Sequence, residues 1–173
     1  LVLGMGVKDN MTLPQIDALA RLGFVQPVAE RGLYDTYKER LDIKTPGPNQ
    51  ATKFLSGGNQ QKIVIAKWLA NEPRLLILDE PTRGIDVGSK AEIHKLIRGL
   101  AQEGIAVLVI SSEMPEILGV SDRIVTMYEG RVTSILDAAD ADEDALIAGS
   151  INSVGAAPVE AHHDAAAASR HEA

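Results

Sequence analysis

The chain has 173 residues, a formal net charge of −7 and no cysteine. Apolar residues make up 45% of it, enough for one domain with a hydrophobic core, whereas aromatic residues make up only 3%. The negative charge argues against nucleic acid or an anionic membrane surface as the main partner, and the lack of cysteine excludes disulfides and thiolate metal sites. The apolar runs are far shorter than the roughly 20 residues of a membrane-spanning helix.

Helices are predicted over most of the first 70 residues. Helical spacing predicts a helix over residues 14–30, with one apolar side formed by Ile16, Leu19, Ala20 and Leu22. A second amphipathic helix is predicted from Val28 to Leu41, and Pro46-Gly47-Pro48 then interrupts the chain. We expect Ser56 to cap a further helix that continues to about Leu69.

A strand, a helix and a second strand follow. Leu75–Leu78 is a continuous apolar run, as in a strand buried on both faces, and Ala106–Ser111 has the same character. Between them, we expect Ser89 to cap a helix that continues to about Gln102, and Gly104 to end it. Its inward side is predicted to hold Ile93, Leu96, Ile97 and Leu100. This spacing predicts a βαβ unit with parallel strands.

The last part of the chain is predicted to hold a short helix at 115–119 and a hairpin around Glu129-Gly130, whose strands 123–128 and 131–136 add edge strands to the sheet. From about residue 153 the composition turns to Ala, His, Glu and Pro, with too few large apolar groups to fold alone. We therefore interpret 151–173 as a disordered tail.

Ser56, Gly57 and Gly58 form a turn that opens a helix. Glycines let the backbone approach an anion, and the helix presents free N–H groups and the positive end of its dipole. The Ser56 hydroxyl adds a donor, so the turn suits a γ-phosphate. The alternative is an ordinary N-cap in a flexible loop. Gln60, Gln61 and Lys62 behind the turn, and the acidic strand end downstream, favour the phosphate interpretation.

Asp79 and Glu80 follow the first apolar strand directly. Acids at the carboxyl end of a parallel strand lie where ligands bind in open α/β sheets. Asp79 is expected to hold Mg²⁺, directly or through water, and Glu80 to orient the water that attacks the γ-phosphate. The alternative is a strand end that reaches solvent, which two adjacent acids followed by Pro-Thr make less favourable.

The next loop contains Gly84, Ile85 and Asp86. Asp86 could reach across a subunit interface, or the loop could be a surface turn feeding the next helix, and both readings stay open. The stretch 84–90 is no phosphate-binding loop, because Ser precedes Lys and the glycine spacing is one residue short. No segment of the chain fits that pattern. His94 is predicted to be a surface residue of the helix.

These motifs resemble the ABC-transporter ATPases. The signature is matched at Leu55, Ser56, Gly57, Gly58, Asn59 and Gln60. Residues 75–80 resemble the Walker B strand, and Gly84, Ile85 and Asp86 resemble the D-loop. The sequences of residues 55–62, 79–90 and 111–123 are similar to those in the second nucleotide-binding domain of bacterial monosaccharide importers of the ribose or xylose type. The resemblance covers roughly residues 1–150.

The resemblance implies an α/β fold of the P-loop NTPase kind, a parallel sheet with helices and a helical subdomain, truncated so that the N-terminal Walker A portion is missing. It implies a helical and signature part at 1–72 and a RecA-like part at 73–150, followed by the tail. It also implies that ATP and Mg²⁺ are bound jointly with the first nucleotide-binding domain of the same polypeptide. The chain starts without Met, and we interpret it as a piece of a longer protein.

The resemblance implies transmembrane permease subunits as partners, a periplasmic sugar-binding protein as an indirect partner, no nucleic acid, and a peripheral place on the cytoplasmic face of the bacterial inner membrane. One position departs from the family. Ser112 stands where most members have a switch His that contacts the γ-phosphate. The site served by Glu80 is therefore expected to hydrolyse ATP poorly. The alternatives are a soluble, non-transport ABC ATPase, against which the acidic charge argues, and a truncated non-catalytic interaction module.

Overall fold

A computed structural model describes residues 1–151 of the chain. The helices are α1 (Val7–Thr12), α2 (Ile16–Leu19), α3 (Pro27–Arg40), α4 (Gly57–Leu69), α5 (Val87–Gln102), α6 (Met114–Val120) and α7 (Glu143–Ile151). The strands are β1 (Ala20–Arg21), β2 (Phe24–Val25), β3 (Leu75–Asp79), β4 (Ala106–Ile110), β5 (Arg123–Tyr128) and β6 (Arg131–Asp137). Short 3₁₀ turns lie at Leu13–Gln15, Thr52–Phe54 and Ala138–Asp140.

The chain divides into two compact units, Leu1–Val120 and a second one that begins at Ser121. The division predicted at residue 72 separates helical from βαβ parts of the first unit and stays a prediction. The predicted tail lies outside the described residues, except that Ile151 belongs to α7.

The predicted βαβ unit is confirmed. Strands β3 and β4 are parallel, with Leu75 opposite Ala106 and Asp79 opposite Ile110, and α5 connects them. Side chains alternate along β3: Leu76 and Leu78 are buried, whereas Leu75 and Ile77 are 54% and 58% exposed. The expectation of a strand buried on both faces is therefore wrong for the described chain. Only the face of β3 that carries Leu76 and Leu78 joins the core.

The hydrophobic core of the first unit joins the helices to that inner face. Its fully buried members share an apolar character and come from several elements: Val7, Met11, Tyr34, Ile63, Ile65, Ala66 and Ile93. Burying a side chain of the size of valine or larger contributes about 1.5–3 kcal/mol, and these contacts fix α4 against α1 and α5. This packing holds the N-terminal end of α4 close to the loop before α5.

Two helix predictions are confirmed and one is wrong. Helix α3 matches the predicted 28–41 segment, and α4 begins after Ser56 and ends at Leu69 as predicted. The predicted single helix over 14–30 is broken instead, because Leu22 and Gly23 adopt left-handed backbone angles and form the turn of a small hairpin. Leu22 is consequently 92% exposed, although its spacing fits the apolar side of a helix.

The second unit contains the predicted hairpin. Strands β5 and β6 pair antiparallel around Glu129-Gly130, but they form their own two-stranded sheet and do not extend β3–β4, so the prediction that they are edge strands of that sheet is wrong for the described residues. Helix α7 packs on β5, and Thr133 donates a 2.6 Å hydrogen bond to the Gly149 carbonyl.

Candidate functional site

The Ser56 turn begins helix α4 as an N-cap. The Ser56 hydroxyl accepts hydrogen bonds from the Asn59 backbone N–H at 3.4 Å and from Asn59 Nδ2 at 2.9 Å. Ser56 and Gly57 are exposed, so the first N–H groups of a 13-residue helix face solvent at this end. The structure thus shows an N-cap with an exposed helix terminus, and its role in binding phosphate stays a prediction.

The polar residues that follow the turn hold the loops around it. Asn59 Oδ1 accepts the Lys44 N–H at 2.7 Å, and Gln60 Nε2 donates to the carbonyls of Thr52 and Leu55 at 3.1 and 3.0 Å. These hydrogen bonds fix the neighbouring loops against the first turn of α4. The nucleotide-binding role of Leu55, Asn59 and Gln60 stays a prediction.

The two glycines of the turn pack against the loop before α5. A Cβ on Gly57 would lie 2.9 Å from Ile85 Cγ2, and a Cβ on Gly58 would lie 2.5 Å from Ser89 Oγ and 2.6 Å from Ser89 Cβ. Such distances are too short for a real side chain. The predicted signature turn and the predicted D-loop are therefore one contiguous surface, a juxtaposition that sequence spacing does not reveal.

Asp79 and Glu80 lie at the carboxyl end of β3, as predicted. Asp79 is exposed, and Glu80 is half-buried with a left-handed φ of 48°, which is strained for a residue with a side chain. The Glu80 N–H donates to the Ile110 carbonyl at 2.8 Å, and Glu80 Oε1 accepts the Ser112 backbone N–H at 3.0 Å. The structure thus brings the predicted catalytic acid and the predicted switch position into direct contact.

The loop after the acids turns sharply at Gly84, whose φ is 76°. Asp86 caps α5: its carboxylate accepts the Ser89 N–H at 2.9 Å and the Ser89 hydroxyl at 2.7 Å. The prediction that Ser89 is the cap is therefore wrong, because the side chain three residues earlier reaches the first free N–H groups. These two hydrogen bonds from Ser89 lower the pKa of Asp86.

Lys62 and His94 make contacts within this unit that the sequence analysis did not predict. Lys62 is buried, and its Nζ donates to the Asp42 carbonyl at 3.1 Å and to Glu92 at 2.9 Å, which joins α4 to α5. His94 is not a plain surface residue, since its Nε2 lies 3.1 Å from Oε1 of the buried Glu116 on α6. The recurrence of Lys90, His94 and Arg98 at every fourth position of α5, which places them on one side of the helix, is the signal that could have found this contact.

The acids at the end of β3 suit Mg²⁺ as part of a larger set of ligands. Among residues 1–151 no group of three or more His, Asp or Glu side chains could hold a metal ion. Mg²⁺ usually keeps several waters and takes one or two carboxylates together with phosphate oxygens. The exposed carboxylate of Asp79 fits that pattern.

The folded chain is expected to lose stability in acid partly through Asp86 and Glu92. The hydrogen bond from Lys62 and its positive charge lower the pKa of Glu92, as Ser89 lowers that of Asp86. Because both pKa values are depressed by folding, their contribution is present above the ordinary values of 3.8 and 4.5 and is lost as pH falls through the folded-state values. Urea unfolding at pH 7, 5 and 3 measures it.

Asp86→Asn and Glu92→Gln are the matched variants for that measurement, because each keeps an acceptor oxygen and removes the titration. The acid-induced loss of unfolding free energy should be smaller in each variant than in the wild type. An unchanged pH dependence in both variants would contradict the expectation.

A parallel βαβ unit whose first strand ends in adjacent acids, beside a helix that begins Ser-Gly-Gly, has the fold of an ATP-binding cassette, the P-loop NTPase-like class predicted from the sequence. The solved structures agree. The chain matches an ATP-binding cassette dimer in a post-hydrolysis state bound to ADP and Pi (TM-score 0.67, 24% identity, 80% of this chain, 59% of that chain). It also matches a nucleotide-free cassette from an ABC transporter (TM-score 0.66, 19% identity, 79% of this chain, 56% of that chain).

The chain belongs to the ABC transporter family, whose model matches residues 9–83. It is 50% identical over 147 residues to a ribose import ATP-binding protein of Geobacillus kaustophilus, and 48% identical over 157 residues to one of Rhodococcus jostii. These matches cover 85% and 91% of this chain but 30% and 31% of those proteins. The chain thus spans about 30% of the length of the curated relatives it matches.

Proposed function

We propose that the chain is part of the ATP-binding and ATP-hydrolysing subunit of an ABC importer that takes up a monosaccharide such as ribose or xylose. The observation that carries the proposal is the 50% identity, over 147 residues, to a protein named for ribose import. The surface formed by the Ser56 turn and the D-loop, and the acids at the end of β3, support it independently.

In this proposal the chain is the C-terminal part of a second nucleotide-binding domain, and the longer polypeptide supplies the rest. The turn at Ser56, Gly57 and Gly58 contacts the γ-phosphate of an ATP held by the first domain, because its exposed helix terminus favours an anion. Glu80 and Asp79 serve the other site, whose phosphate loop lies elsewhere in the polypeptide.

Each side chain has a separate task at the second site. One oxygen of Glu80 is held by the Ser112 N–H, which leaves the other to accept a hydrogen bond from the attacking water. Asp79 would hold Mg²⁺, which when bound neutralises charge on the β- and γ-phosphates. Ser112 carries no imidazole, so the side chain at the switch position donates no charge-assisted hydrogen bond to the γ-phosphate, and this site turns over slowly.

The proposal also places the subunit on the cytoplasmic face of the bacterial inner membrane, bound to the permease. A periplasmic binding protein then selects the sugar, and neither it nor nucleic acid touches this chain. Among residues 1–151 no helix is both long and apolar enough to cross a bilayer.

Uptake of radiolabelled sugar tests the proposal. Deletion of the full-length gene should abolish uptake of ribose or xylose, and the wild-type gene should restore it. The gene carrying Ser56→Arg should not restore it, although the protein accumulates to the same level. Unchanged uptake of every monosaccharide tried after the deletion would contradict the proposal.

A further inference from the structure

The carboxylate of Glu80 is held by a backbone group and not by a side chain. Its Oε1 accepts the Ser112 N–H at 3.0 Å, and within residues 1–151 its Oε2 has no hydrogen-bond partner. A hydrogen bond of this kind fixes the plane and direction of the carboxylate. The direction in which Oε2 points therefore depends on where the backbone at Ser112 lies.

The position of Ser112 depends on its neighbour Glu113. The Glu113 N–H donates to Ser111 Oγ at 3.0 Å, and the Glu113 carbonyl accepts the Glu116 N–H at 3.0 Å, which starts helix α6. Ser112 itself is exposed and makes no other side-chain hydrogen bond in the described part of the chain. The loop between β4 and α6 thus takes its shape from Glu113.

Glu113 is in turn held by Lys90 of helix α5. The ammonium group donates to both carboxylate oxygens, with Nζ 2.6 Å from Oε1. Two further contacts at four-residue intervals continue the same seam between α5 and α6: His94 contacts Glu116, and Arg98 contacts the Gly119 carbonyl. The seam fixes α6, and the Lys90 pair is its end nearest to Glu80.

The Lys90–Glu113 pair contributes little to stability. The two side chains are 25% and 43% exposed, and exposed ion pairs typically contribute about 0–1 kcal/mol. Its geometric effect is larger, since a displacement of about 1 Å in a reacting group can lower a rate by 10²-fold. A variant that removes the pair should therefore stay folded and still alter the orientation of Glu80.

We propose that Lys90 is a positioning residue for ATP hydrolysis: by holding Glu113 it fixes the Ser112 N–H, which orients Glu80 towards the attacking water. The proposal rests on the proposed catalytic role of Glu80. In this proposal helix α5 does more than connect two strands, because it also orients the carboxylate of Glu80. The switch position, Ser112, contributes its backbone N–H and needs no imidazole for that role.

A double-mutant cycle in the full-length protein tests it. Lys90→Met should lower kcat for ATP by no more than Glu80→Gln does, with KM unchanged, and adding it to Glu80→Gln should lower kcat no further than Glu80→Gln alone. Lys95→Met, on the same helix and exposed, is the control and should leave kcat unchanged. Additive losses, or wild-type kcat in Lys90→Met, would overturn the proposal.

An amide measurement keeps the two assignments distinguishable. In the ¹⁵N spectrum of the chain, the hydrogen bond to Glu80 should shift the Ser112 amide proton downfield, and this shift should be reduced in Glu80→Gln, because a neutral amide oxygen is a weaker acceptor than a carboxylate. It should be lost in Lys90→Met and in Glu113→Gln, and the exchange Lys90→Glu with Glu113→Lys should restore it. If the Ser112 shift is unchanged in both Lys90→Met and Glu113→Gln, Lys90 does not position Glu80. If the amide behaves as expected while Glu80→Gln leaves kcat unchanged, the catalytic role of Glu80 fails instead.

Discussion

Ser56→Arg in the full-length protein is expected to lower ATP turnover by at least about 10²-fold, as removal of a preorganised phosphate contact typically does. Glu80→Gln is expected to leave a substantial part of the turnover. The difference follows from the proposed pairing of sites. In that proposal the exposed turn at Ser56 serves the faster site, whereas Glu80 belongs to the site whose switch position is Ser112. Steady-state release of phosphate at saturating Mg-ATP measures both.

The arginine variant acts by occupying the turn. Its side chain places bulk and a positive charge at the end of α4, where the helix dipole already disfavours a cation. Ser56→Ala is the control for folding, because it removes the N-cap at a cost of about 1 kcal/mol without filling the turn. The proposed asymmetry is wrong if Glu80→Gln abolishes turnover and Ser56→Arg does not.

Gly58→Ala is expected to destabilise the chain by about 1–3 kcal/mol, the usual cost of overpacking. The added methyl group would lie 2.6 Å from Ser89 Cβ, close to a backbone that the Asp86 cap holds in place. Either α4 or the start of α5 must move, and the surface they share is then distorted. Urea unfolding monitored by circular dichroism measures the loss.

Gly99→Ala is the matched control for that variant. Gly99 lies within α5, and nothing would lie within 4 Å of its added Cβ, so the alanine should stabilise the helix by about 0.5–1 kcal/mol. The two identical substitutions therefore have opposite signs. Equal effects of the two would show that the contact between Gly58 and Ser89 is not tight in solution.

The sequence signals that succeeded were local ones. Ser56 before a long apolar periodicity predicted α4 correctly, and Glu129-Gly130 between alternating strands predicted the hairpin. These elements are decided by caps and turn residues that lie within a few positions of one another. The order strand, helix, strand then predicted the parallel pair β3–β4.

The errors came from patterns that local chemistry overrides. Leu22 fits the apolar side of a helix, yet Gly23 follows it and a two-residue turn forms there. Both Asp86 and Ser89 are good caps, and the choice between them depends on which side chain reaches a free N–H. The apolar run at Leu75 predicted burial on both faces, but burial depends on neighbours and not on composition alone.

The sequence predicted the individual residues of the candidate site but not the contacts that join them into one surface. Ser56, Asp79 and Glu80 were identified from their motifs, and the structure places them at a helix start and a strand end as expected. The approach of Gly58 to Ser89 and the contact from Glu80 to the Ser112 N–H could not be predicted. Both join segments about 30 residues apart, and only tertiary packing sets such distances.

The buried side chain of Lys62 links helix α4 to helix α5. Together with the close contact between Gly58 and Ser89, its bond to Glu92 leaves α4 and α5 little freedom to slide past each other. In the proposed pairing of sites, α4 begins at the turn that contacts one ATP, and α5 follows the acids that serve the other. Loss of phosphate at one ATP site would then move α4 and α5 together, so the change would be transmitted directly to the other ATP site.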